Sequence, residues 1–242
     1  GFTIDGYSHA VSYYLLAAIA AVCLALFHFG RNEIPVRAGG DAALKRGGSA
    51  DLLRLPALRN ALITNGIVMI GIDLYIIYLP LYASGIGLSA SAIGLIVGAF
   101  GAAGFVVRIL IPPVTGRWGE HAMIAAALAL SCVAFVAIPL TGNPWLLGAT
   151  SFVAGLGLGC GQPLSMILSF NAAPQGRSAE AIAMRLAVSY GAHVMIPPVF
   201  GALGAALGLA PVFWTCAMLM GGGAALNRVS VTSRPGRPET EP

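Results

Sequence analysis

The sequence predicts an all-α, polytopic membrane helix bundle of seven transmembrane helices, and three observations carry that expectation. Hydrophobic residues make up 57% of the chain and charged residues only 9%, whereas a soluble domain carries about 25% charged residues. One core cannot hide so much apolar surface, and the mean hydropathy is +0.84. Seven apolar runs are of the length that crosses a hydrocarbon layer of ~30 Å, about 20 residues as a helix. The basic residues, finally, gather in alternate connecting segments. Thirty-two glycines agree with this class, because small residues let helices approach closely in lipid.

Taken in order, the runs are His9 to Phe29, Ala61 to Ala83, Ser91 to Val114, Ala122 to Leu140, Trp145 to Phe170, Leu186 to Leu207 and Pro211 to Leu226, the last being the shortest. The first has no basic flank ahead of it and the chain starts on Gly1, so it does not read as a signal peptide. The expectation is a chain that begins inside a longer protein. Residues 30–60 form a polar, Gly-rich connector holding nine of the 22 charged residues and the only lysine, Lys45, as a linker between two bundles would. The expected division is thus residues 1–29, a last helix of a first bundle; 30–60, a basic cytoplasmic linker; 61–228, a six-helix bundle; and 229–242, a disordered cytoplasmic tail.

Charge fixes the orientation expected. Arg31, Arg37, Lys45, Arg46, Arg54 and Arg59 lie in the connector, Arg117 in the turn GRWGEH, Arg177 and Arg185 after the fifth run, and Arg228, Arg234 and Arg237 in the tail; Arg108 is near the same end of the third run. The opposite segments, around Gly1 to Ser8, Ser84 to Ala90, Thr141 to Pro144 and Gly208 to Ala210, have no basic residue. Under the positive-inside rule Gly1 is outside and Pro242 inside. Topology then accounts for the net charge of +4, and no nucleic-acid partner is implied. Cys23, Cys132, Cys160 and Cys216 lie in apolar runs without metal-ligand or C-x-x-C spacing and read as small buried hydrophobes. No cofactor is signalled.

Several spans depart from a plain lipid-facing helix. Gly94, Gly98, Gly101 and Gly104 share a face of the third and should press on another helix. Gly155 to Pro163, GLGLGCGQP, places glycines on two opposite faces. His193 is followed by Pro197 and Pro198, and proline inside a span frees a carbonyl and kinks the helix.

Asp73, the one carboxylate inside an apolar run, is the leading candidate site. An ionisable group at that depth is expensive to keep there, and burial disfavours the charged form, so a proton and a substrate can exclude one another. The alternative is a structural carboxylate paired with an arginine. Asp73 shares a helix face with Gly66, Met69, Ile76 and Ile77, which turns Tyr75 and Tyr78 elsewhere. Arg108 is its nearest partner by chemistry, although snorkelling to the inner surface competes with a gate role. Gln162 hydrogen-bonds either substrate or carbonyls freed by Pro163. His193 relays protons or is a neutral histidine bonded to a helix neighbour. The segment Pro174 to Arg185 reads as a short interfacial helix in which Glu180 pairs with Arg177 or Arg185.

The basic connector before six spans, the Gly116-Arg117-Trp118-Gly119 turn and the glycine-rich span GLGLGCGQPLSM resemble the C-terminal half of a major facilitator superfamily transporter. With APQGRSAEAIAMRLAVSYGAHVMIPPVFGALG they are similar to a bacterial subgroup related to sugar and drug efflux permeases. The resemblance implies helices six to twelve of that fold, with the remaining helices of the same protein as partners. It further implies a small-molecule substrate, protons, the lipid bilayer of the bacterial inner membrane, and proton-coupled efflux by alternating access. Gating would fall to Arg177, Glu180 and Arg185 of the inner loop and to Arg117 of the turn. A facilitative carrier and a receptor-like seven-helix protein are the alternatives. A retinal protein is excluded because Lys45 lies outside every span. No nucleotide fingerprint or serine-protease pairing is present, so the reading is not that of an enzyme.

Overall fold

The computed structural model describes residues 49–232, together with the helical positions Tyr14, Ala17, Ala18, Ala21, Val22, Leu24 and Ala25. Most of the expected first span, most of the linker and the tail after Thr232 lie outside the described residues. Regular structure in the rest is entirely helical. A short helix α1 (Ser49–Leu53) precedes α2 (Pro56–Gly85), α3 (Ala90–Trp118), α4 (Glu120–Ala137) with a 3-10 turn over Ile138–Leu140, α5 (Pro144–Asn171), α6 (Ser178–Leu207) and α7 (Leu209–Thr232). Six of these, α2 to α7, are long and apolar enough to cross a membrane.

Local chemistry sets the boundaries. Pro56 at the start of α2 and Pro144 at the start of α5 have no N–H to leave unsatisfied in a first turn. Ser89 accepts from the Ala92 N–H at 3.3 Å and Asn143 from the Trp145 N–H at 2.9 Å, capping α3 and α5. Gly119 and Gly208, with φ of 79° and 85°, turn the chain directly from one span into the next in a conformation that costs other residues strain. Pro80, Pro112, Pro113, Pro163, Pro197 and Pro198 are all carried inside helices.

The sequence reading needs two corrections here. Pro174 to Arg185 is not a separate interfacial helix: the turn ends at Arg177, and Ser178 opens a continuous 30-residue α6. SAEAIAMRLAV contains no glycine or proline and is built largely of good helix formers, so nothing stops the span from extending outward. Nor do all four glycines of α3 meet a neighbour. A Cβ on Gly104 would reach Gly155 and Gly159, but Gly98 and Gly101 face open space and Gly94 is exposed.

The glycines of α5 are instead the packing residues, and they use three faces. Gly159 would place a Cβ 2.6 Å from the Gly104 Cα of α3, and Gly155 would meet Phe100 and Ala103 of the same helix. Gly157 abuts Ala127 and Ser131 of α4, while Gly161 would set a Cβ 2.6 Å from both methyls of Val68 on α2. Alternate glycines therefore let α5 be crossed closely by three helices at once. Tyr75 of α2 completes the contact with α3, stacked on Phe100 at 4.0 Å with its hydroxyl donating to the Ile96 carbonyl at 3.4 Å. On the far side Phe213 of α7 fills the space between Phe135 and Tyr82.

Hydrogen bonds between helix ends order the two faces of the bundle. Asn227 near the end of α7 donates to Thr64 near the start of α2 at 2.9 Å, and Asn171 at the end of α5 donates to Glu120 at the start of α4 at 3.1 Å. At the other face Tyr82 near the end of α2 donates to the Thr141 carbonyl after α4 at 3.1 Å. α1 closes the first face, where Leu52 is buried with Leu58, Leu62 and Ala181.

Candidate functional site

Helices α2 and α6 run parallel, and two stripes of residues face each other along them. On α2 the stripe is Asn65, Met69, Asp73; on α6 it is Arg185, Ser189, His193. Each repeats every four residues, the spacing that keeps side chains on one helix face. The register is constant, since Asn65 meets Arg185 and Asp73 meets His193, both 120 positions apart.

At one level the stripes form a buried clamp. Asn65 is fully buried and donates from Nδ2 to the Ser189 hydroxyl at 2.9 Å and to the Arg185 carbonyl at 3.3 Å. Its Oδ1 accepts from the Ser165 hydroxyl of α5 at 3.2 Å. Arg185 reaches across to α5, donating from Nη2 to the Gln162 carbonyl at 3.1 Å and to the Ser165 hydroxyl at 3.3 Å; its Nε is buried without a partner. Three helices are thereby joined through neutral oxygens and one guanidinium.

Two turns further along, the carboxylate Oδ2 of Asp73 meets Nδ1 of His193. The Asp73 side chain is 14% exposed and that of His193 45%. The ring of Tyr190 lies 6.3 Å from the imidazole, centroid to centroid. The pair thus sits at the open edge of the contact, where water and a solute can reach the histidine.

Of the expected site residues, Asp73 and His193 are brought together; neither was assigned the other as partner from the sequence. Arg108 is not the partner of Asp73. It is exposed and lines a cleft between α2, α3 and α5 with Gln162, because α3 packs on α5 and not on the Asp73 face of α2. Gln162 neither meets Asp73 nor repairs the Pro163 break. Its amide approaches the Met69 sulfur at 3.9 Å and its carbonyl takes the Arg185 guanidinium. Arg185 does not pair with Glu180; it belongs to the clamp. Glu180 pairs with Arg177 at 2.6 Å, and the hydrogen bond that the guanidinium donates to this carboxylate holds the guanidinium's pKa above its ordinary value. Arg117 lies in the last turn of α3, where a cation complements the helix dipole. Asn65, Ser165 and Ser189 were missed, although the polar stripe at positions 185, 189 and 193 was visible in the sequence.

Cys160 and Cys216 are buried and Cys132 is half-buried, all as free thiols. No group of metal-ligating side chains is present among the described residues.

A bundle of six long apolar helices, with facing polar stripes on two of them, is that of a multi-pass membrane protein. The chain belongs to the Major Facilitator Superfamily, whose family model matches residues 1–184 and again residues 61–242. No curated protein matches the chain. Family membership makes it a membrane transporter for small molecules, and at that level a carrier and not an enzyme.

Proposed function

We propose that the chain moves a small solute by alternating access, with the Asp73–His193 pair as the proton-responsive contact between α2 and α6. The pair itself is the observation that supports this reading: a carboxylate and an imidazole meet on facing stripes at the open edge of two parallel spans. A carboxylate inside a span is a functional hypothesis by default, and histidine exchanges protons near neutral pH. With the imidazole doubly protonated the contact is an ion pair, and with Asp73 protonated that attraction is lost. The helices can then part at this level while the Asn65 clamp holds them together two turns away.

Efflux is the direction carried over from the resemblance to sugar and drug permeases. The ends bearing Arg59, Arg117, Arg177 and Arg228 are taken as cytoplasmic by the positive-inside rule, in a bacterial inner membrane. Arg177 and Glu180 at that face are the gate pair. The faces of α3 and α6 that no described helix covers, where only 17% of each span's apolar stretch is buried, are the surface on which further helices of the same transporter would complete the pathway. Such pathways lie between two bundles.

The test is transport in vesicles under an imposed pH gradient. Asp73→Asn should abolish gradient-driven transport and leave downhill exchange. Undiminished gradient-driven transport by this variant would remove proton coupling through Asp73 and leave a facilitative carrier.

A further inference from the structure

The charges on the α3–α5 side of the bundle do not balance, and the imbalance has a location. Among the described residues the carboxylates Glu180 and Asp73 are engaged by Arg177 and His193, Glu120 takes Asn171, and Asp51 on α1 lies within the field of Arg177. Neither Arg108 nor Arg185 has an acidic partner. Arg185 is held by the Gln162 carbonyl and the Ser165 hydroxyl, neutral groups that leave its charge in place. Arg108 lines a cleft of about 250 Å³ together with Gln162, Ile72, Gly104 and Gly159. A cation on each side of Gln162, neither neutralised, makes this cleft electropositive in a medium where isolated charge is costly.

We infer that the cleft takes an anionic group of the transported solute, a carboxylate or phosphate. This rests on the transporter reading and names its substrate class. The guanidinium of Arg108 presents a planar fork of N–H donors that matches an oxyanion, and the amide of Gln162, one N–H of which points to the Met69 sulfur, has a second to offer. The volume suits one acid group and its nearest carbons, being below the ~300 Å³ at which pockets begin to enclose drug-sized ligands. Ile72 in the wall precedes Asp73 in the chain, so an anion bound here lies beside the helix whose next residue is the paired carboxylate.

The same oxyanion chemistry is offered by a lipid phosphate, and the experiment separates the two sources. Thermal unfolding of the purified chain is followed in lipid-free detergent micelles with benzoate, citrate or glycerol 3-phosphate, with ethidium or tetraphenylphosphonium, and with lactose. A parallel series adds phosphatidylglycerol. Saturable stabilisation by at least one free anion is expected, weakened about tenfold or more in Arg108→Gln, since charge-assisted bonds to a fork are the strong ones. Arg108→Lys, which keeps the charge and loses the fork, should fall between. Because Arg108 is exposed, both variants should fold, and their unliganded melting points check this. The inference is overturned if no free anion stabilises the chain, if Arg108→Gln leaves the anion effect unchanged, or if only phosphatidylglycerol acts. Binding of ethidium or lactose without any anion would remove this inference and leave the transporter reading standing.

Discussion

Helices α2 and α6 meet at two levels eight residues apart, ~12 Å along a helix at about 1.5 Å per residue. At the Asn65 level the contact is buried at Asn65, Ser165 and Ser189, involves a third helix and uses groups whose hydrogen bonding does not depend on a proton. At the Asp73 level it involves two helices, two titratable groups and an exposed imidazole. The first contact is therefore suited to staying closed through a transport cycle and the second to opening. A hydrogen bond between buried neutral groups has no alternative partner in the bundle, whereas a half-exposed histidine exchanges its carboxylate for water at little cost.

The largest effect should come from separating the helices that make the clamp. Gly161 lies one turn before Ser165 on α5, and Val68 lies three residues beyond Asn65 on α2. A Cβ at Gly161 would stand 2.6 Å from both Val68 methyls, and valine has little rotamer freedom with which to yield. Gly161→Ala should cost about 3 kcal/mol, the upper end for overpacking, measured as a shifted unfolding midpoint in detergent. Gly101→Ala is the control. Its Cβ meets open space, and alanine is the better helix former, so stability should be unchanged or slightly raised.

Next is the clamp itself. Asn65 makes three hydrogen bonds, to Arg185, Ser189 and Ser165. At about 0.6 kcal/mol each, the average for bonds between membrane helices, Asn65→Leu should lose ~2 kcal/mol. A loss near zero would mean that Ser165 and Ser189 find other partners and that the level is not a clamp.

Much of this architecture was legible in the sequence, and the exceptions have physical causes. Spans were readable because crossing ~30 Å of hydrocarbon imposes a length that composition alone reports. Asp73 stood out because a carboxylate in an apolar run is conspicuous. Its partner did not, because pairing depends on which faces of which helices meet, and Arg108 appeared equally eligible until α3 was seen to pack on α5. Asn65 and the two serines were passed over as ordinary polar residues. Their importance lies in lining up with the polar stripe of α6, which a reading confined to one span at a time does not see. Of the α3 glycines, Gly104 packs on α5 as expected, while no described helix covers Gly98 and Gly101: spacing shows that glycines share a face, not which helix covers it.

At the upper level the expected stability effect is smaller. Asp73→Asn retains a hydrogen-bonding side chain and leaves a histidine already open to water, so the loss should be under about 1 kcal/mol. His193→Gln should behave alike. The distinction from Asn65 lies in transport: both upper-level variants should lose gradient-driven transport while their unfolding midpoints stay near the parent's, whereas Asn65→Leu should lower the midpoint. An equal stability loss at both levels would erase the contrast between a fixed and an opening contact.

The smallest effect belongs to Arg177 and Glu180. They form a close bond at 2.6 Å, yet the two residues are only three positions apart at the mouth of α6, so the contact joins a turn to the helix it starts and ties no two spans together. The pair is only half-buried, so water and salt still screen it. Arg177→Ala should leave the unfolding midpoint unmoved. If the pair gates the cytoplasmic face, the same substitution should change the rate of solute exchange without altering the dependence on the pH gradient that Asp73 confers. Exchange at the parent rate would reduce Arg177 to an orientation signal, and a shifted midpoint would make it a structural link instead of a gate.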